Sequence, residues 1–227
     1  MKKTLLVIGA SSGIGAEIAR HFADIGCRVL AVSRRPAVAG EWINADVSTP
    51  DGIRHLLLEL GATPIDALLF MGGVWEQGAF TDAFDFERSS DSETRHVIAV
   101  NLIAPIEIAK GVAANLGATP NPRAIFIGSL SGLDNQASKE VANTASKFGL
   151  RGAIQALRLA LSSARIGFTV INPGNVATAE VQADIADGRF HEQTPIPVGD
   201  LVSAVEWVLS LSADTEVGDI NLIQKDG

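Results

Sequence analysis

Short apolar runs alternate along the chain with longer segments of helical periodicity. The apolar runs predict strands at residues 4–8, 28–33, 67–71, 124–128, 167–172 and 220–223, with a weaker strand at 42–44. The helical segments predict helices at residues 14–25, 50–60, 92–116, 144–164 and 200–211. Strands that are apolar throughout are typical of a parallel sheet covered on both faces. The pattern therefore predicts an α/β chain: a Rossmann-type, doubly wound parallel sheet in three α/β/α layers, forming a single domain over residues 1–227.

Two long segments without clear periodicity follow predicted strands. Residues 74–90 are acidic and aromatic, and residues 177–199 follow a Pro-Gly turn and contain Pro195 and Pro197. In open parallel sheets the ligands bind beyond the carboxyl ends of the strands, where such loops lie. We expect residues 177–199 to form a lid over a substrate, with His191 as a candidate substitute acid or an exposed loop residue.

Composition narrows the classes of partner. The formal charge is −8, and hydrophobic residues make up 47% of the chain. Nucleic-acid backbones and anionic membranes require basic patches, so we expect neither as a partner and expect a small-molecule substrate instead. The one cysteine, Cys27, is expected to be a small core residue. The first apolar run is too short for a signal segment or membrane span, which predicts a cytoplasmic protein. No histidine pair has metal-ligand spacing, so no metal is expected.

A glycine-rich turn lies between the first predicted strand and the first predicted helix. Glycines allow a tight turn and close approach of the backbone, and the start of a helix offers free N–H groups to a pyrophosphate. The alternative is a purely structural turn. The residues expected to bind a dinucleotide here are Gly9, Ser11, Ser12, Gly13, Ile14 and Gly15.

The end of the second strand bears on the choice of cofactor. An NAD site usually places an acidic residue there to hold the ribose 2′-hydroxyl, but this chain has Ser33, Arg34 and Arg35. Guanidinium groups suit a 2′-phosphate, so NADP(H) is favoured and NAD(H) stays possible. The alternative is that both arginines are solvated residues at a loop end.

Taken in order, these segments resemble the short-chain dehydrogenase/reductase family over nearly the whole chain. The resemblance implies adenine contacts by Asp46 and Val47, and catalytic positions at Asn101, Ser129 and Lys147, with Lys147 also binding the ribose. It further implies homodimers or homotetramers formed through the long helices. The remaining cofactor contacts that it implies are Gly72, Gly73, Pro173, Gly174, Val176 and Thr178.

The chain departs from the family at the position of the catalytic tyrosine. Asn143 occupies the first place of the Tyr-x-x-x-Lys motif that ends at Lys147, and the chain contains no tyrosine. An asparagine amide donates hydrogen bonds but does not titrate in the useful range. The usual asparagines after the fourth strand are also replaced, by Phe70 and Met71.

Three interpretations of Asn143 stay open. The first is a reductase with an altered proton path, acting on a small apolar carbonyl or on an imine or conjugated acceptor that needs no protonation at oxygen. The second is a protein that binds NADP(H) as a sensor or scaffold, without redox chemistry. The third is an ordinary family enzyme whose tyrosine was replaced deliberately.

Overall fold

A parallel sheet of seven strands forms the middle layer of the molecule. This computed structural model describes residues 2–190 and 193–225. The strands lie in the order β3-β2-β1-β4-β5-β6-β7, and every paired neighbour is parallel. Their bounds are β1 Thr4–Ile8, β2 Arg28–Ser33, β3 Glu41–Asn44, β4 Ala67–Phe70, β5 Arg123–Ile127, β6 Gly167–Pro173 and β7 Asp219–Leu222.

Helices cover both faces of this sheet. Their bounds are α1 Gly13–Asp24, α2 Pro50–Leu60, α3 Asp91–Ile98, α4 Ala104–Gly111, α5 Ala113–Gly117, α6 Val141–Ala160, α7 Ala179–Ala186 and α8 Val198–Ser210. One buried apolar cluster includes residues of α2, α4 and α6, and a second, on the opposite face, includes residues of α1 and α8. The Rossmann-type, three-layer fold predicted from the apolar strands is confirmed.

The order of the strands reverses between β1 and β4. The chain first moves from β1 outward to β2 and β3, then crosses back so that β4 pairs with the other side of β1. The loops that leave β1 and β4 therefore diverge, and a crevice opens at the carboxyl ends of these strands. The predicted dinucleotide site falls at this crevice.

The helix predicted over residues 92–116 is divided into α3, α4 and α5. A π-helical turn, Ala99–Ile103, separates the first two, and the N–H at Ala104 bonds to the carbonyl of Ala99. Pro105 has no N–H to continue the regular ladder, which disturbs the helix at this point. Gly111 ends α4, where an added Cβ would lie 2.6 Å from a methyl of Leu57.

The other predicted boundaries need small corrections. Helix α6 begins at Val141, three residues before the predicted start, and α7 lies inside the region predicted only as a lid. In the described part of the chain, no helix is long and apolar enough to cross a bilayer. Residues 2–190 and 193–225 also contain no group of three His, Cys, Asp or Glu side chains arranged to hold a metal.

Candidate active site at the carboxyl ends of the strands

The turn after β1 has the geometry of a backbone cradle. Gly9 and Gly13 have φ of 88° and 56°, a region that side chains other than glycine rarely adopt. A Cβ on Gly15, in the first turn of α1, would overlap the carbonyl oxygen of Gly9, so the close packing of the turn against the helix requires glycine at position 15. The hydroxyl of Ser12 accepts no capping hydrogen bond within the described residues, and its side chain is exposed. Half-buried Ser11 and Ile14 complete the predicted set.

The loop after β4 packs directly against this turn. A Cβ on Gly9 would lie 2.7 Å from the Cα of Gly72, so the two backbones are in contact. A Cβ on Gly73 would meet Asn101 Oδ1 and Lys147 Nζ, each at 3.6 Å. The two glycines that persist where the family asparagines are missing therefore connect the phosphate turn to the predicted catalytic residues.

Two exposed arginines directly follow the end of β2. Both Arg34 and Arg35 are exposed, and neither forms an ion pair with any described residue. Ser33 is buried, and its hydroxyl donates to the carbonyl of Arg35 at 2.6 Å. This bond fixes the backbone at the point where the chain turns away from the sheet, which directs residues 34 and 35 out of it.

Asp46 and Val47 follow β3. Asp46 Oδ1 accepts from the N–H of Ser48 at 2.9 Å and from its hydroxyl at 2.7 Å. Partial burial raises the pKa of Asp46, but the hydrogen bonds from Ser48 and the charge of Arg34 outweigh it, so this pKa lies below its ordinary value. Val47 packs against the core cluster beneath α2.

Asn101 lies in the π-helical turn and holds the loop after β4. Its Oδ1 accepts from the N–H of Val74 at 2.9 Å, and its Nδ2 donates to the Val74 carbonyl at 2.7 Å. The Nδ2 also donates to Ser146 Oγ at 3.2 Å, and Ser146 donates to the carbonyl of Asn143 at 2.7 Å. Asn101 is thereby linked to the first turns of α6. Local π-helical turns are frequent at functional sites.

Ser129 and Asn143 are connected through a third residue, Ser131. Asn143 Nδ2 donates to Ser131 Oγ at 3.4 Å, and Ser131 Oγ donates to Ser129 Oγ at 3.0 Å. Ser129 also caps the short 3₁₀ turn Leu130–Gly132 by accepting from the N–H of Ser131 at 3.2 Å. The resemblance gave Ser131 no role, because only its position in the folded turn brings it between the two predicted residues.

Lys147 is buried beneath this group. Its Nζ donates to the carbonyl of Ile127 at 3.1 Å. Burial lowers the pKa of Lys147 from 10.5 to about 8, because the ammonium group loses its hydration. A Cβ on Gly132 would lie 2.9 Å from the Lys147 backbone, so the turn that carries Ser129 and Ser131 rests closely on α6.

Two buried glutamates, Glu76 in the loop after β4 and Glu140 just before α6, were not predicted from the sequence. Glu76 Oε1 accepts from the N–H groups of Ala142 at 2.8 Å and Asn143 at 3.1 Å. Glu140 Oε1 accepts from the N–H of Phe80 at 2.8 Å. Both side chains are almost fully buried. Together they fasten the loop after β4 to the helix that carries Asn143 and Lys147.

The segment after β6 closes the other side of the crevice. The N–H of Gly174 donates to the carbonyl of Leu222 at 2.9 Å, and a Cβ on Gly13 would lie 3.9 Å from Thr178 Cγ2. Thr178 caps α7, and Val176 is buried and forms a bridge with Ile196. Pro173, the last residue of β6, thus leads from the sheet to a segment that faces the phosphate turn.

A cleft of about 330 Å³ lies beyond the start of α6. It is bordered by Phe80, Thr81, Asp82, Ser138, Lys139, Glu140, Gly188 and Arg189. The last two belong to the predicted lid, so the lid region borders a cleft, although its closure stays a prediction. His191, the candidate substitute acid, lies outside the described residues.

The structure connects the predicted catalytic residues through three links, of which one is the chain of hydrogen bonds from Asn143 through Ser131 to Ser129. Gly9, Gly72 and Gly73 connect the phosphate turn to Asn101 and Lys147. Ser146 links Asn101 to Asn143. Ser33, Arg34 and Arg35 stand apart from these residues, at the end of β2.

Similar proteins were found by sequence and by structure. The short-chain dehydrogenase/reductase olcF of Penicillium canescens is 30% identical over 213 residues, which cover 89% of this chain and 80% of that protein. The 3-oxoacyl-(acyl-carrier-protein) reductase FabG of Escherichia coli K12 is 28% identical over 217 residues, covering 90% and 86%.

Among solved structures, 4-hydroxyisoleucine dehydrogenase complexed with NADH superposes with a TM-score of 0.83 at 23% identity, covering 100% of both chains. BdcA in complex with NADPH gives a TM-score of 0.81 at 19% identity, covering 98% of this chain and 93% of that one. At these identities the likeness shows the fold alone. The sequence profile described as short chain dehydrogenase matches residues 3–188, most of the 227 residues, and the chain belongs to the short-chain dehydrogenase family.

Proposed function

We propose that this protein is an NADP(H)-dependent short-chain oxidoreductase that acts on a small, apolar carbonyl, imine or conjugated acceptor. The observation that carries the proposal is the hydrogen-bonded set Asn143–Ser131–Ser129, placed over Lys147 at the edge of the dinucleotide crevice. Its proton path differs from that of relatives with a tyrosine, because the amide of Asn143 carries no titratable proton.

The residues present fit a dinucleotide. Neither Gly9, in the turn before α1, nor Gly15, in the first turn of α1, has room for a Cβ, so backbone N–H groups can approach a pyrophosphate closely. Two of the structural neighbours are complexes with NADH and with NADPH, which favours a nicotinamide cofactor here. When bound, this cofactor supplies or accepts a hydride.

Arg34 and Arg35 favour the phosphorylated form of the cofactor. Both are exposed and free of ion pairs among the described residues, and no acidic residue stands at the end of β2. Guanidinium groups bind phosphate through paired hydrogen bonds, so a 2′-phosphate would find partners there. Asp46 remains our expected contact for the adenine.

We assign the remaining roles, binding of the ribose and of the substrate, to residues of the chain itself. Lys147 would hold the ribose, and the half-buried hydroxyl of Ser129 would bind the reacting oxygen or nitrogen of the substrate. Donors that are already oriented stabilise charge that develops during the reaction. Losing a general acid typically costs about 10²–10⁴-fold in rate, which limits ordinary ketone reduction.

Titration with NADPH and NADH, followed by nicotinamide fluorescence, tests the cofactor assignment. We expect saturable binding of both, with the tighter binding for NADPH. Oxidation of NADPH is then measured with a ketone, a cyclic imine and an enone of similar size. Binding without oxidation by any acceptor would favour the sensor or scaffold alternative, and no binding of either cofactor would refute both.

We also expect a cytoplasmic homodimer or homotetramer. The two helical segments that the family resemblance assigns to subunit contacts carry exposed apolar side chains, namely Ile103, Ile106 and Phe148. A contiguous apolar surface on such helices suits a self-complementary interface. Sedimentation analysis of the purified protein measures the oligomer size directly.

A further inference from the structure

The hydrogen bonds between Asn143, Ser131 and Ser129 all run in one direction. Asn143 Nδ2 donates to Ser131, and Ser131 donates to Ser129 through both its hydroxyl, at 3.0 Å, and its backbone N–H, at 3.2 Å. A serine hydroxyl has two acceptor lone pairs and one hydrogen. Ser129 therefore has both lone pairs engaged, and among residues 2–190 and 193–225 its hydrogen is given to no protein acceptor.

This arrangement determines what Ser129 offers to a ligand. Ser131 and Asn143 are buried, whereas Ser129 is only half-buried, so the free hydrogen is at the accessible end of the chain of donors. Successive hydrogen bonds of one direction polarise one another and strengthen the last donor. The site is therefore built to hold a negatively charged oxygen.

The same chain of donors contains no acid. Amide and serine hydroxyl protons do not titrate in the useful range. Neither of the two buried ionisable side chains packed nearby hydrogen-bonds to the side chain of Asn143, Ser131 or Ser129: Lys147 donates to the Ile127 carbonyl, and Glu76 accepts from backbone N–H groups of α6 through Oε1, while its buried Oε2 has no partner among the described residues. An oxygen held by Ser129 is thus stabilised as an anion but receives no proton through Asn143.

The substrate that fits such a site is one in which hydride addition produces a delocalised negative charge. Hydride addition to a simple ketone leaves a localised, strongly basic alkoxide, which needs a proton as it forms. Hydride addition to the β-carbon of an α,β-unsaturated carbonyl moves the π electrons toward oxygen and leaves an enolate, whose delocalised charge is much less basic, so hydrogen bonds can hold its oxygen without protonating it. Matching the donor to the charge that develops is what accelerates the reaction.

Resting on the function proposed above, we propose that the substrate is an α,β-unsaturated carbonyl compound, reduced at its carbon–carbon double bond, with Ser131 as a positioning residue for Ser129. A bound reduced nicotinamide would supply the hydride: its C4–H bond would break as the new C–H bond forms at the β-carbon. The π pair becomes the enolate, whose oxygen Ser129 binds, and water then protonates the α-carbon. The nicotinamide is oxidised and the carbon–carbon bond is reduced by the same two electrons.

Isotope transfer tests this proposal in the unmodified protein. NADPH deuterated at C4, in separate pro-R and pro-S forms, is incubated with 2-cyclohexen-1-one, and the product is analysed by NMR. We expect cyclohexanone carrying deuterium at C3 from one of the two forms. Cyclohexenol carrying deuterium at C1 would overturn the proposal, as would turnover of cyclohexanone or a cyclic imine at least as fast as that of the enone. Oxidation of NADPH by none of these acceptors would instead refute the proposed function itself.

Variants of Ser131 test its positioning role. Ser131→Ala leaves Ser129 with one fewer hydrogen bond, so we expect kcat for the enone to fall about 10- to 100-fold, less than the loss of a direct oxyanion donor. The Kd for NADPH should stay unchanged, and Ser131→Thr, which keeps the hydroxyl, should recover most of kcat. A fall in kcat matched by an equal loss of NADPH affinity, or no fall at all, would contradict the role.

Asn143→Tyr supplies the missing acid. It tests whether the lack of an acid at this position is the reason that the carbon–carbon double bond is reduced in preference to the carbonyl. Because a proton donor then reaches the carbonyl oxygen, we expect the product to shift from cyclohexanone toward cyclohexenol, and cyclohexanone itself to be reduced faster. An unchanged product ratio in a folded, NADPH-binding variant would argue that Asn143 does not set the preference. If that variant does not fold, the isotope result on the unmodified protein still decides the substrate class.

Discussion

The carboxylate of Glu76 accepts a hydrogen bond from the backbone N–H of Asn143 at 3.1 Å, and the same oxygen accepts from Ala142 at 2.8 Å. The first N–H groups of a helix have no partner within the helix. Glu76 supplies that partner from a loop 66 residues earlier in the chain. The position of Asn143, and through α6 that of Lys147, therefore depends on a residue that the family motifs do not include.

Removal of Glu76 should loosen the start of α6. Glu76→Ala leaves two buried N–H groups without an acceptor, so we expect a loss of about 1–3 kcal/mol in the free energy of unfolding. Glu76→Gln keeps one acceptor oxygen and should lose clearly less. Urea denaturation followed by tryptophan fluorescence measures both, with Trp75 beside the site. Glu87→Ala, an exposed change in the same loop, is the matched control, and a loss no larger than the control's would contradict the assignment.

Two glycine-to-alanine changes should affect different properties: Gly15→Ala should weaken NADPH binding, and Gly152→Ala should stabilise the protein. In Gly15→Ala the added Cβ overlaps the carbonyl of Gly9, so the phosphate turn must open and NADPH binding should fall at least tenfold. In Gly152→Ala the Cβ meets nothing within 4 Å on the exposed face of α6. That change should stabilise the protein by about 0.5–1 kcal/mol, because alanine loses less backbone entropy in a helix. Thermal unfolding and a cofactor titration on the same two proteins provide the comparison. Equal NADPH affinities would show that the close packing of Gly15 against Gly9 is not needed for cofactor binding.

Most of the fold was predictable because its determinants are local. Each strand from β1 to β6 is marked by a mostly apolar run or, for β3, a short one, and each predicted boundary lies within one or two residues of the observed strand. The early start of α6 was not predictable, because it depends on Glu76 in a distant loop. The π-helical turn at Asn101 also depends on tertiary packing, although Pro105 gave a signal that the regular helix would be disturbed.

The candidate site was predictable as a set of positions and not as a network. Family resemblance indicated Asn101, Ser129, Asn143 and Lys147, and the structure places them in connected groups through two further serines, Ser131 and Ser146. Serines are common and carry no pattern of their own, so nothing in the sequence distinguished these two. Their roles follow only from the distances between side chains that separate elements bring together.

The arginines at the end of β2 should decide between the two nicotinamide cofactors. If Arg34 binds the 2′-phosphate, Arg34→Ala should raise the Kd for NADPH about tenfold, or 1.4 kcal/mol, and leave the Kd for NADH nearly unchanged. Arg35→Ala is measured in the same way. Arg54→Ala removes an exposed arginine of α2 and controls for the change in net charge. An equal rise in the Kd for NADPH and in the Kd for NADH would show that the arginines do not bind the 2′-phosphate.

Lys147 should make the free energy of unfolding vary with pH in the alkaline range. Burial lowers its pKa in the folded state to about 8, from 10.5 when it is exposed. Between these pH values the unfolded chain holds a proton that the folded chain has lost, so the free energy of unfolding rises with pH. The rise should amount to about 3 kcal/mol, at 1.36 kcal/mol per pKa unit. Below pH 8 both states are protonated, and the cost of the buried ammonium is fully present.

Lys147→Met should remove this dependence. The variant keeps the length and apolar contacts of the side chain without the charge, so it should be more stable than the parent protein near pH 7 and should show no rise attributable to this residue between pH 8 and 10.5. Urea denaturation without cofactor measures both curves, and the chain contains no tyrosine to add its own titration in this range. Lys110→Met, at an exposed position of α4, should leave the rise intact. Parallel curves for the parent and Lys147→Met would mean that the ammonium group is hydrated, and Lys147 would then be free to reach solvent rather than fixed against the carbonyl of Ile127.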